Sequence, residues 1–267
     1  KDMNKNLSST YSAQQGATLI VVLMILLMVT IVGSLAIRTA MTSLNIATNT
    51  QVGQFLSQTA DTPINQVYTS DLSKMVDLSG VIGMALADSK NNPGKEYVFC
   101  YRPLSTQKFG SSLNVVSIIA KADKSGLDSS RTEGSVGAFC DLDADFGSKR
   151  QAVVTQIAVK IPTDVSADTA PGALLGRGTN LSEGTIMPRN VVEQQRIRVT
   201  TTAVIPAFTK NISGGNSCMQ SHINDNLDAD TASMTTVADC LNGLGIPVNS
   251  QVQDFNLQTL FEQVTAP

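Results

Sequence analysis

From Ala17 to Ile37 the chain runs ATLIVVLMILLMVTIVGSLAI, 21 residues without a charge. At about 1.5 Å per residue, a helix of this length measures roughly 31 Å, the thickness of the hydrocarbon core of a bilayer. The run is longer than the apolar part of a secretory signal, and no A-x-A cleavage site follows it. A polar leader, KDMNKNLSSTYSAQQG, precedes it with Lys1, Lys5 and Asp2, while Arg38 stands at the far end. The charge balance across the run favours an N-terminus on the cytoplasmic side.

The helical pattern continues past the membrane segment. Met41, Leu44, Ala47, Val52, Phe55 and Leu56 keep to one side, with Thr, Ser, Asn and Gln between them. No proline interrupts before Pro63, so the spacing predicts one helix of about 45 residues, apolar all round in its first half and amphipathic in its second. We expect an apolar segment at 17–37 and an amphipathic helical continuation over 38–90. Asp61-Thr62-Pro63 reads as a helix boundary, with Thr62 as N-cap and Pro63 at the first helical position, the residues beyond it being either the kinked end of the long helix or a second short one.

These residues resemble a known signal. A polar leader that ends in Gly16, followed by Ala17-Thr18-Leu19-Ile20 at the head of an apolar helix, is similar to the class III signal of type IV prepilins. The stretch QQGATLIVVLMILL…GSLAIR resembles the PilX-type minor pilins in particular. The resemblance implies a leader of residues 1–16, cleavage between Gly16 and Ala17, and N-methylation of Ala17. Many pilins carry Glu as fifth residue of the mature chain; here that place is Val21. An uncompensated carboxylate is costly in lipid, and in major pilins it is thought to pair with the N-terminal amine of a neighbour, which Val21 cannot do. The implied role is a minor pilin that initiates pilus assembly or caps the tip. Its partners would be other minor pilins, the major pilin and the prepilin peptidase, with a pilus-tip adhesin as a further one. Its place would be the inner membrane, as a single span with the C-terminal domain outside the cytoplasm, and then the fibre. Two alternatives stay open: a minor pseudopilin of type II secretion, and a membrane-anchored extracytoplasmic enzyme or binding protein.

Beyond the turn chemistry of Asn91-Asn92-Pro93-Gly94, residues 91–267 read as a β-rich ectodomain. Runs rich in Val, Ile, Thr and aromatics predict strands at 96–102, 114–121, 136–142, 152–161 and 196–207. Residues 163–190 have no steady period and read as a long loop. Val237, Cys240, Leu241 and Leu244, and then Leu257, Leu260, Phe261 and Val264, predict two short helices near the C-terminus. The expected fold class is α+β, type IV pilin-like: a long N-terminal helix packed on an antiparallel sheet, with short C-terminal helices.

The chemistry of catalysis is thinly supplied. Charged residues make up 15% of the chain and the net charge is −3, which leaves no basic footprint for nucleic acid. Residues 211–267 hold six acids and no base, so acidity concentrates at the C-terminal end. The one histidine, His222, excludes zinc sites that need two, and there is no nucleophile elbow, Walker loop or dinucleotide fingerprint. The expectation is no enzyme and no cofactor. Calcium is the one ion the pattern invites, at Asp141, Asp143 and Asp145 or at Asp225, Asp228 and Asp230. The first of these sets departs from the EF-hand pattern, with Phe146 before Gly147 and Ala152 at the twelfth place. Tyr97, Phe99 and Tyr101 alternate as strand residues do, which reads as packing rather than base stacking. The four cysteines form no C-x-x-C. In an extracytoplasmic domain they predict disulfides, with Cys100–Cys140 and Cys218–Cys240 preferred among the three pairings.

Overall fold

The computed structural model describes residues 15–70, 76–89, 91–105, 109–164 and 196–256. The chain divides into two units, one through Val52 and the other from Gly53. Helix α1, Gln15–Thr69, provides the described part of the first unit and the opening of the second.

In the first unit α1 is long and apolar enough to cross a membrane, by length and composition. Its apolar side chains from Leu19 to Ile46 are exposed, and among the described residues of the unit none covers them. The hydroxyls of Thr30, Thr39, Thr42, Thr48 and Thr50 each donate to a carbonyl one turn back, at 2.8–3.0 Å. These five hydroxyls are thereby satisfied within the helix itself, as an apolar surrounding requires.

The second unit is an α+β head domain. Its six-stranded sheet has the order β3-β2-β1-β4-β5-β6. The strands are β1 Glu96–Cys100, β2 Val116–Ile118, β3 Glu133–Gly134, β4 Val154–Lys160, β5 Arg196–Val204 and β6 Val248–Asn256. Every pairing is antiparallel, and β5 and β6 pair over their whole length without a bulge. One face carries Tyr97, Phe99, Ile157, Val159, Ile197 and Val199, which bury against Val67 of α1 and Val81, Ile82 and Ala85 of helix α2, Val81–Asp88. Removal of such side chains from water contributes about 1.5–3 kcal/mol each. The other face is covered by the chain around Ala138–Leu142 and by a cap built from helices α3, Ile212–Ser221, and α4, Val237–Gly243.

Three expectations need correction. The helix does not break at Pro63: Leu56, Ala60, Pro63 and Val67 form one buried stripe, and α1 runs through the proline to Thr69. Burial of that stripe on the sheet outweighs the hydrogen bond that proline removes. Thr62 is therefore inside the helix, where its hydroxyl donates to the Gln58 carbonyl at 2.9 Å. Residues 136–142 are not a strand. Val136–Ala138 is a 3-10 turn capped by Ser135, and the amides beyond it turn to side chains, Cys140 N–H to Gln156 Oε1 and Leu142 N–H to Asn216 Oδ1. The ladder partner of β2 is instead the two-residue β3. Finally, α3 and β6 arise from segments without a clear period in the sequence. The expected helix around 257–264 and most of the expected loop at 163–190 lie outside the described residues.

Candidate functional site

Gly16 and Ala17 lie in the first turn of α1, at the head of the apolar segment. Val21, one turn on, is exposed with its apolar neighbours. Nothing charged lies between it and Arg38, so this stretch presents an uninterrupted apolar surface.

In the head domain the cysteines form Cys100–Cys140 and Cys218–Cys240. The first joins the end of β1 to the segment beside the 3-10 turn. The second joins α3 to α4 and closes the cap. Gly215 lets α3 approach closely, because a Cβ there would meet Leu142 Cδ1 at 2.5 Å.

Asp141, Asp145, Asp225, Asp228 and Asp230, five of the six acids considered as cation ligands, are engaged by protein groups, while Asp143 contributes its backbone amide. Asp145 receives Arg102 through both carboxylate oxygens, Nε at 2.7 Å and Nη2 at 2.6 Å. This bidentate bond fixes a guanidinium where the loop pattern invites a cation. Asp141 Oδ1 accepts from the Asp143 amide and from Asn216 Nδ2, which ties the loop to α3. Asp225 and Asp228 are buried, whereas Asp230 is exposed and accepts from Thr163 Oγ1. Among the described residues no group of three or more His, Cys, Asp or Glu side chains is arranged to hold a metal ion.

Asp225 and Asp228 belong to a charge network that the sequence did not single out. The register aligns Glu96, Lys160, Arg198 and Asp254 in one row across β1, β4, β5 and β6. Lys160 Nζ lies 2.8 Å from Asp225 Oδ1 and 3.0 Å from Asp228 Oδ2. Arg198 reaches Asp228 through Nη1 at 2.8 Å and Asp254 through Nε at 2.9 Å. Glu96 Oε2 accepts from both nitrogens of Asn224, at 2.9 and 2.8 Å. Burial pulls the Lys160 ammonium down, but Glu96, Asp225 and Asp228 outweigh it and hold the group above the usual lysine value. The network docks the cap onto the sheet. Its signal in the sequence was available: Glu96, Lys160 and Arg198 each interrupt an apolar strand on the same face.

A second network stands at the other face. Lys95 bridges Asp88 and Glu133, both at 2.9 Å, and Tyr97 donates to Asp88 at 2.7 Å. Burial pushes the Asp88 carboxyl up, but hydrogen bonds from Lys95, Tyr97 and Asn92 prevail and hold it at about 2. Phe99 and Tyr101 pack edge-on against Phe109, with ring centres 5.5 and 5.9 Å apart, so the aromatic alternation builds core. His222 sits at the end of α3, its Nδ1 3.0 Å from Ser221 Oγ.

Neither a curated protein nor a solved structure matches the chain. Residues 15–64 match the family model described as PilX N-terminal, a stretch that takes in most of α1. The N-terminal segment is thus similar to that of PilX-type pilins, and it stands with an α+β head that carries two disulfides.

Proposed function

We propose that this protein is a minor pilin that initiates pilus assembly or caps the fibre tip. The observation that carries the reading is Val21, within the matched segment, at the place where the resembled major pilins have glutamate. A helix without that carboxylate has only dispersion packing to offer at this depth. It has no charge of its own with which to neutralise the amine of a subunit ahead of it. Such a subunit suits the first position, with no pilin ahead of it. Before assembly it rests in the inner membrane with its head outside the cytoplasm, where the two disulfides are chemically stable. The apolar surface of α1 then exchanges lipid for the helices of other pilins, and the head presents surfaces to other minor pilins or to a tip adhesin. Deletion of the gene should abolish or sharply reduce surface pili. Abolished retraction should restore some of them if the role is initiation. Unchanged piliation in both backgrounds would overturn the reading.

A further inference from the structure

The junction between cap and sheet buries an unequal number of charges. Three carboxylates, Glu96, Asp225 and Asp228, meet two cations, Lys160 and Arg198, and each of these side chains is at most 4% exposed. Lys160 is shared unevenly: Asp225 and Asp228 stand at 2.8 and 3.0 Å, Glu96 only at 3.8 Å. Arg198 adds Asp225 at 3.6 Å and spends its Nε on Asp254, at the half-exposed end of the row. The groups that face Glu96 are thus Lys160 from β4 and Asp225 and Asn224 from the cap, with Asp228 and Arg198 one step behind; from β2 its neighbour is apolar Ile118. Glu96 is the surplus carboxylate. Its Oε2 is engaged by Asn224, and its Oε1 can take a proton without loss of those bonds.

We infer that the junction is a proton-responsive clamp, in which uptake of one proton by Glu96 tightens the hold of the cap on the sheet under mild acid. An uncompensated buried charge weakens a fold, so its neutralisation strengthens one. Burial pushes the Glu96 carboxyl up to about 6, with Asp225 adding to the push and Lys160 and Asn224 opposing it. The folded value lies above the ordinary glutamate value of 4.5. The protonated group therefore contributes its stability fully below about pH 4.5, and that contribution is lost as pH rises through about 6. Most clustered carboxylates act the other way, since acid removes their salt bridges. Here the first proton relieves the burial of an ionised carboxylate, a cost that outweighs its attraction to Lys160 and to which Asp225 adds.

The test is amide hydrogen exchange of the full chain in detergent, read on peptides from residues 211–247 and corrected for the intrinsic exchange rate. Protection of the cap should be about tenfold greater near pH 5 than near pH 7.5. Glu96→Gln should reduce that difference to less than about twofold, with protection at the higher pH raised towards the wild-type acid value. Equal or lower protection near pH 5 in the wild type would overturn the inference, and this arm needs no variant to fold. A Glu96→Gln protein that keeps the full difference would overturn it as well, because another group would then be the acceptor.

Discussion

Thr201 Oγ1 donates to the Ala60 carbonyl at 2.9 Å, a buried bond between β5 and α1 across 141 residues of sequence. Both residues are fully buried, and Ala60 belongs to the stripe that carries α1 across the sheet. Gln251 of β6 adds a second tie, to the hydroxyl and carbonyl of Ser57. Thr201→Val keeps the shape and removes the donor, so it should destabilise the head by about 1 kcal/mol. Ala60→Leu forces a larger side chain into the same contact and should cost about 1–3 kcal/mol. Urea midpoints from pulse proteolysis of the detergent-solubilised chain measure both; a neutral Ala60→Leu would mean that α1 does not lie tight on the sheet there.

Asp228 is the keystone of the cap junction, 1% exposed and shared by Lys160 and Arg198. Asp228→Ala removes a carboxylate that both cations share, while Lys160 keeps Asp225 at 2.8 Å and Arg198 keeps Asp254 at 2.9 Å, and should cost about 1.5–3 kcal/mol. Asp230→Ala, two residues on and exposed, should stay within about 0.5 kcal/mol. The same unfolding measurement separates them. Equal effects would place the cap off the charge row.

Asp88 sets an acid limit at the opposite face. Its folded carboxyl is held at about 2 against an ordinary aspartate value of 3.8. Its contribution to stability is therefore present above about pH 3.8 and is lost as pH falls through about 2. Asp88→Asn should flatten the pH dependence of the unfolding midpoint in that window and leave the slope above pH 5 unchanged. A variant that keeps the wild-type acid slope would show that the Lys95 and Tyr97 bonds do not hold the carboxylate.

The sequence made the long helix legible because membrane apolarity and the later amphipathic stripe both persist over many turns. It misled at Pro63, where local chemistry signalled a stop and the buried stripe from Leu56 to Val67 prevailed. Strand β4 and β5 were clear from their Val, Ile and Thr content. Strand β6 was not, since VNSQVQDFN alternates weakly and pairs through its backbone with a partner already in place. Helix α3 was hidden by Gly214 and Gly215. A Cβ at either glycine would have to displace a side-chain end, that of Asn211 or of Leu142, and no periodicity reports such contacts. The aspartates at 225 and 228 drew notice as an acidic surface, but the lysine and arginine that claim them lie far away in sequence.

The leader gives a processing prediction. Peptidase cleavage should fall between Gly16 and Ala17, and replacement of Gly16 by a bulky residue should accumulate precursor. Intact mass of the protein from cells reads this directly. Mature wild-type protein that retains residues 1–16 would exclude processing as a prepilin.

The central claim is that this chain is a rare, tip-proximal pilin rather than a component repeated along the fibre. Quantitative mass spectrometry of sheared, purified pili compares it with the major pilin in one measurement. The account predicts that it is present, begins at Ala17, and occurs at one or a few copies per fibre. Absence from sheared fibres, or an amount near that of the major pilin, would contradict it.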